Sequence, residues 1–226
     1  MQTILNFLDA LMRNNNREWF QLHKAEYDAA QTKFNAFTEK LIQEVGKFDP
    51  LIRGLTIKDC TYRIYKDMRF SKYKIPYKTH MGAYLCPYGK KSGYAGYYFH
   101  IEPTDSEDYA FGNLVATGLY NPTPSLTIAI RDKIYNHPDE FEKALQSAKH
   151  LDWESNSSLQ KVPNGYPQDA RHAKYLKLKT FSLSAPLDLE LVIGNQQRLL
   201  DHVVTLFYES KPCNDFINQV IMDGCW

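Results

Sequence analysis

Cysteine is scarce in this 226-residue chain: Cys60, Cys86, Cys213 and Cys225 lie far apart and form no C-x-x-C pair. That excludes a disulfide-dense module and makes reduced thiols the simplest reading. Long apolar runs are missing as well; none approaches the roughly 18 residues needed to span a bilayer. The opening MQTILNFLDALMRNNN has no basic n-region and carries Asp9, so it does not read as a secretory signal. These absences lead to the expectation of a cytoplasmic protein with no membrane partner. An excess of either charge is also absent. With 27 Lys+Arg against 26 Asp+Glu, the net charge of +1 argues against a protein that coats nucleic acid indiscriminately.

Familiar catalytic signatures are missing too. Gly89-Lys90-Lys91-Ser92 lacks the upstream glycine of a phosphate-binding loop and reads as a hairpin turn. There is no G-x-S-x-G, H-E-x-x-H or G-x-G-x-x-G. No cofactor is therefore implied.

What is present suffices for a core. At 43% hydrophobic and 23% charged residues the chain is neither a disordered polyelectrolyte nor a collagen-like repeat. Leu5, Leu8, Leu11 and Met12 recur at helical spacing, and Asn14-Asn15-Asn16 interrupts them. Asn15 with Glu18 fits a capping box for one long helix over 17–46. Phe20, Tyr27, Phe34 and Leu41 repeat every seven residues along it, as an aromatic stripe for the core or for a coiled-coil seam. Period-two alternation predicts strands over 61–67, 80–86 and 95–102, with a further one within 108–119. Thr123-Pro124 and Pro138-Asp139-Glu140 open two more helices. A short strand near Trp153, a helical turn over 170–177 and a strand over 178–183 follow, and two helices, 195–209 and 213–222, close the chain. The expected fold is a single α+β domain over 1–226: N-terminal helices including one long helix, a central antiparallel meander of about four or more strands, and C-terminal helices.

Charge is uneven along that plan. The segment 58–91 holds nine Lys/Arg and two acids, a local +7, while the remaining 18 basic and 24 acidic residues give −6. Tyr62, Tyr65, Tyr73, Tyr77, Tyr84 and Tyr88 lie in the basic part, with Tyr94, Tyr97 and Tyr98 directly after, nine of the sixteen tyrosines. Cations for phosphates interleaved with flat rings for bases suit a nucleotide or nucleic-acid site. Aromatics favoured in strands and lysines favoured in exposed loops would give the same pattern without a ligand.

In a strand over 61–67, Arg63, Tyr65 and Asp67 share one face. Arg63 offers a planar fork for phosphate or carboxylate. Arg69, Ser71, Lys72, Lys74 and Lys78 follow through a loop containing Pro76, which is expected to fold over an anion bound at that face. A buried Arg63–Asp67 ion pair that fixes strand register is the structural alternative.

These same residues carry a resemblance. Asn14-Asn15-Asn16-Arg17-Glu18-Trp19-Phe20 and the run from Arg63 through Arg63-Ile64-Tyr65-Lys66-Asp67 to Pro76-Tyr77-Lys78-Thr79 resemble a widespread bacterial family catalogued as a domain of unknown function. Gly96-Tyr97-Tyr98-Phe99-His100-Ile101-Glu102-Pro103 and Pro163-Asn164-Gly165-Tyr166 are similar to further blocks of it. The resemblance covers essentially the whole chain and implies one intact domain, with no activity, cofactor or catalytic residue to carry over. Gly112-Asn113-Leu114-Val115 departs from the pattern, where a more glycine-rich run leading to an aromatic is expected.

Three functions stay open. The first is binding of a phosphate-bearing or other anionic ligand, a small molecule, nucleotide or nucleic acid, by Arg63, Tyr65, Asp67, Arg69, Lys72, Lys74, Tyr77 and Lys78. The second is a hydrolase-type enzyme on an anionic substrate, with Asp67 or Glu102 as base and Arg63 or Arg69 stabilising negative charge. The third is a scaffold that oligomerises through the aromatic stripe, although the oligomeric state itself is not legible. His80, His100 and Glu102 form a candidate two-His-one-carboxylate metal site. Cys60 and Cys86 are candidate nucleophiles. Arg171, His172, Lys174, Lys177 and Lys179 make a second basic cluster.

Overall fold

A computed structural model describes residues 1–67, 75–103, 112–154 and 158–224. The chain opens with α1 (Gln2–Arg13), α2 (Arg17–Leu22) and α3 (Lys24–Phe48). Asn16, not Asn15, caps α2, its side chain accepting from the Trp19 N–H at 2.9 Å. The single long helix expected over 17–46 is broken at His23, which leaves helical geometry at φ −105°, ψ 22°. Its ring stacks on Trp19 at 4.0 Å and its Nδ1 lies 2.8 Å from the Trp19 carbonyl oxygen. A side chain that competes for a helical carbonyl ends the helix without any Gly or Pro.

After the short α4 (Ile57–Cys60) come β1 (Met81–Leu85), β2 (Gly96–Ile101) and β3 (Leu114–Leu119). Then follow α5 (Pro124–Asn136), α6 (Pro138–Ser147), β4 (Asp152–Trp153), α7 (Ala173–Leu176), β5 (Phe181–Pro186), α8 (Leu189–Ile193) and α9 (Gln196–Asp223). The sheet is antiparallel in the order β1-β2-β3-β5-β4. The expected α+β class holds. Thr123 caps α5 as its sequence suggests, accepting from Leu126 N–H at 3.2 Å.

Two expected boundaries do not. The closing pair of helices is one helix, α9, which runs straight through Pro212. Proline costs the helix one hydrogen bond, but here buried residues on both sides, Leu206 and Phe207 before and Cys213, Asn214 and Phe216 after, keep the helix packed. Residues 61–67 also fail to form a strand. Thr61 bridges Ala83 of β1, whereas Tyr65 bridges Tyr77. The segment changes partner within four residues, so no continuous ladder develops. Strand propensity needs a neighbour to be expressed.

One face of the sheet is the core. Tyr97, Phe99 and Ile101 of β2 are fully buried there. Phe99 packs on Phe37 of α3 at 4.8 Å between ring centroids, and Tyr97 on Phe207 of α9 at 5.2 Å. The aromatic stripe is spent inside this core: Phe20, Phe34 and Leu41 are at most 1% exposed. It is therefore not free to act as a coiled-coil seam, which removes the basis for the scaffold reading. α9 is also tied to the start of β2 by polar contacts. Asn218 Oδ1 accepts from the Ala95 N–H at 2.8 Å, and its Nδ2 donates to the Ala95 carbonyl at 3.0 Å. Among the described residues no helix is long and apolar enough to cross a membrane.

Candidate functional site: the basic arm and the second sheet face

The chain on either side of residues 68–74 forms an arm rooted on the N-terminal helices. Lys66 N–H donates to the Pro76 carbonyl at 2.9 Å and Lys78 N–H to the Ile64 carbonyl at 2.8 Å. Asn15 holds this root like a short piece of strand. Its Nδ2 donates to the Tyr77 carbonyl at 3.0 Å, while its Oδ1 accepts from the Tyr77 N–H at 3.1 Å. The Tyr77 ring, 2% exposed, stacks on Phe20 at 4.1 Å and packs against Tyr65 at 5.4 Å. Beside this stack lies a small pocket of about 290 Å³, lined by Arg17, Gln21, Tyr65, Lys66, Pro76 and Tyr77. A wider groove of about 820 Å³ runs along α3 and residues 53–58, away from every expected site residue.

Lys78 is half-buried, and its ammonium is held below the usual lysine value, first by burial and then by repulsion from Arg63 and Lys66. Its Nζ stands 5.4 Å from the centre of the Tyr62 ring, and Lys90 Nζ stands 5.8 Å from the same ring. Lys90 also donates to the Lys58 carbonyl. The result is a patch of cations around exposed aromatics, with Tyr62 and Tyr65 at 42% and 46% exposure.

The expected site residues divide accordingly. Arg63, Tyr65 and Lys78 come together at this root. Arg63 and Asp67 are both exposed, so they do not form the buried ion pair considered above. Tyr77 contributes to the pocket wall, but its ring belongs to the core. Arg69, Lys72 and Lys74 lie outside the described residues. Two members of the second basic cluster are held by α6: Arg171 pairs with Asp139, and His172 Nε2 lies 3.1 Å from the Pro138 carbonyl oxygen. The cysteines are poor nucleophiles. Burial pushes the Cys60 thiol up to about 12 and Cys86 up to about 11.

On the sheet face opposite the core, His80, His100 and Glu102 do gather. The two imidazoles stack at 4.8 Å, and His100 Nε2 lies 3.5 Å from Glu102 Oε2. Stacked rings set their nitrogens side by side instead of converging on a point. Among the described residues no group of three or more His, Cys, Asp or Glu is placed to hold a metal ion. The unexpected member is Tyr98, whose Oη is 2.9 Å from His100 Nδ1. Its place two residues before His100 on the same strand was available in the sequence. Arg17, Gln21, Lys66 and Lys90 were not, because the contacts that make them neighbours are set by the fold.

Over residues 3–216 the sequence matches the model of a family described as a conserved hypothetical protein (DUF2461). The chain belongs to that family. No curated protein and no solved structure matches it. Two of the blocks that carry the DUF2461 resemblance, 14–20 and 63–79, meet at the Asn15–Tyr77 tie, which joins their described parts at the arm root. The departure at Gly112-Asn113 also has a role in this chain. Asn113 Oδ1 accepts from the Glu102 N–H at 3.1 Å, and its carbonyl accepts from Leu187 N–H at 2.8 Å, closing the end of β2 against β5.

Proposed function

We propose that this DUF2461 protein, in a cytoplasmic setting, binds a phosphate-bearing ligand at the root of the basic arm. One observation carries the reading: the half-buried Lys78 is crowded by Arg63 and Lys66, so its ammonium is costly without an anion nearby. A bound phosphate would relieve that repulsion through charge-assisted hydrogen bonds. The Tyr62 and Tyr65 rings, exposed beside these cations, supply flat surfaces on which a base can stack. A nucleotide or a single nucleic-acid strand uses both features, whereas inorganic phosphate uses only the charge.

Fluorescence anisotropy with a labelled single-stranded oligonucleotide at low salt tests this, alongside thermal shift with nucleoside triphosphates and pyrophosphate. Binding should weaken as salt rises, and the double substitution Arg63→Ala, Lys78→Ala should reduce affinity at least tenfold. Absence of binding by all three probes at low salt would reject the reading.

A further inference from the structure

Tyr98, His100 and Glu102 occupy alternate positions of β2 and its immediate end, and so share one face. His100 and Glu102 are 1% and 0% exposed, whereas Tyr98 is half-buried. Tyr98 Oη and His100 Nδ1 are 2.9 Å apart, and His100 Nε2 and Glu102 Oε2 are 3.5 Å apart. Room for the phenol is provided by Gly82, directly across from His100 on β1. A Cβ there would stand 2.5 Å from Tyr98 Oη. Among the described residues neither carboxylate oxygen of Glu102 has a hydrogen bond. A buried carboxylate without hydrogen bonds is expensive, and an apolar side chain would fill the place at lower cost. Such a group beside a histidine, linked in turn to a partly open phenol, has the arrangement of a reactive site.

We propose that Tyr98, His100 and Glu102 form a proton relay whose working end is the Tyr98 phenol, serving general-base hydrolysis of an anionic ester. The substrate's anionic character rests on the ligand reading above; the relay itself does not. With the imidazole proton on Nε2, facing Glu102, Nδ1 accepts the hydrogen of Tyr98 Oη. An attacking water gives a proton to Tyr98 Oη as Tyr98 passes its own to Nδ1. The water O–H and the original Tyr98 O–H break, while a new Tyr98 O–H and an Nδ1–H form. The hydroxide equivalent bonds to the electrophilic centre, and the leaving oxygen recovers the proton by the reverse path. The imidazolium formed in between sits beside the Glu102 carboxylate, and the 3.5 Å contact tightens into an ion pair, as loosely set catalytic contacts do when charge develops.

Glu102 touches no substrate in this scheme and is a positioning residue. Tyr98, half-buried where the other two are fully buried, is the group of the three that a ligand meets. The Thr61–Ala83 bridge sets Tyr62 level with Gly82 on that same side, with Lys78 and Lys90 over its ring. The anion-holding cations thus border the face that carries the relay.

The test is covalent labelling of the whole chain with an arylsulfonyl fluoride, read by peptide mass spectrometry. A phenolate oxygen attacks sulfur, the S–O bond forms, S–F breaks and fluoride leaves. The expected result is labelling of Tyr98 at least tenfold faster than of Tyr88, Tyr120 and Tyr208, although those three are the more exposed. His100→Asn should slow Tyr98 labelling tenfold or more, and Glu102→Gln severalfold, with the rate plateau moved to higher pH in both. If His100→Asn does not fold, the near-isosteric Glu102→Gln and the wild-type comparison decide. Tyr98 labelled no faster than the exposed tyrosines, or a rate and pH profile untouched by the folded variants, would overturn the relay. Arg63→Ala with Lys78→Ala should weaken nucleotide binding at least tenfold while Tyr98 remains the fastest-labelled tyrosine, which separates failure of the relay from failure of the anion site.

Discussion

Along β2 and the residue that follows it, Tyr97, Phe99 and Ile101 point toward α3 and α9, while Tyr98, His100 and Glu102 point the other way. The first set has every need met. Phe99 packs among aromatics, and the Tyr97 hydroxyl donates to Asp49 Oδ2 at 2.8 Å. The second set holds a carboxylate with no hydrogen bond among the described residues. Six consecutive residues therefore serve two ends: one side closes the core, and the other keeps polar groups in a place where packing alone would not put them. A stability-driven strand would resemble the first side on both faces when buried. The contrast marks the second side as the one shaped by something other than folding.

The contrast is sharpest in paired substitutions. Phe99→Ala should cost about 3–5 kcal/mol in urea unfolding, the usual loss for emptying a buried phenylalanine site. Tyr98→Phe, one residue away, should change stability by less than about 1 kcal/mol. Equal losses at the two positions would erase the distinction between the faces.

Gly82→Ala comes next, at about 1–3 kcal/mol, since the new methyl collides with Tyr98 Oη and the phenol must turn away from His100. Thermal unfolding gives the cost, and loss of the sulfonyl fluoride preference for Tyr98 shows that the same glycine serves both stability and the relay. Asn15→Ala should cost about 1–3 kcal/mol by leaving the Tyr77 backbone groups without their partner. Amide exchange at Tyr77 should accelerate while exchange in β2 does not, because the loss is confined to the arm.

Glu102→Gln should run the other way, raising stability by about 1 kcal/mol, as removal of a functional strain commonly does. A destabilised Glu102→Gln would mean that the carboxylate is structural. The smallest effect concerns pH. Burial holds the Cys60, Cys86 and Cys213 thiols at about 12, 11 and 12, above their ordinary value of 9.0. Raised values of this kind stabilise the fold fully below pH 9 and lose that contribution as pH climbs toward 11–12. The melting temperature should therefore begin to fall above about pH 9, and Cys60 and Cys213 should resist alkylation at pH 8 until the chain unfolds.

Much of this architecture was legible in the sequence, for identifiable reasons. Alternation located β1 and β2 because each strand buries at least one face, and Thr123-Pro124 located α5 because capping chemistry is local; the strand expected over 178–183 instead starts at Phe181 and runs to Pro186. The break at His23 was hidden, since it depends on a ring reaching back to the Trp19 carbonyl. The continuity of α9 through Pro212 was hidden for the opposite reason: long-range packing overrode a local breaker. The strand expected over 61–67 failed because no single neighbour pairs with it. At the candidate site, the charge pattern found Arg63 and Lys78, and strand parity joined His100 to Glu102. Arg17 and Gln21 entered the pocket only through an association of two distant blocks, which no local signal reports.

The tie between Asn15 and Tyr77 joins residues 62 positions apart. Closing a loop of that length is an entropic expense that must be met before the contact returns anything, so such contacts form late. The arm root then assembles only after the helices, whose contacts are local, have formed. A collapsed but incomplete chain would show helical signals without the pocket beside Tyr65. In a refolding experiment, ligand capture should trail the helical far-ultraviolet signal, so the binding site comes into being after the local structure around it.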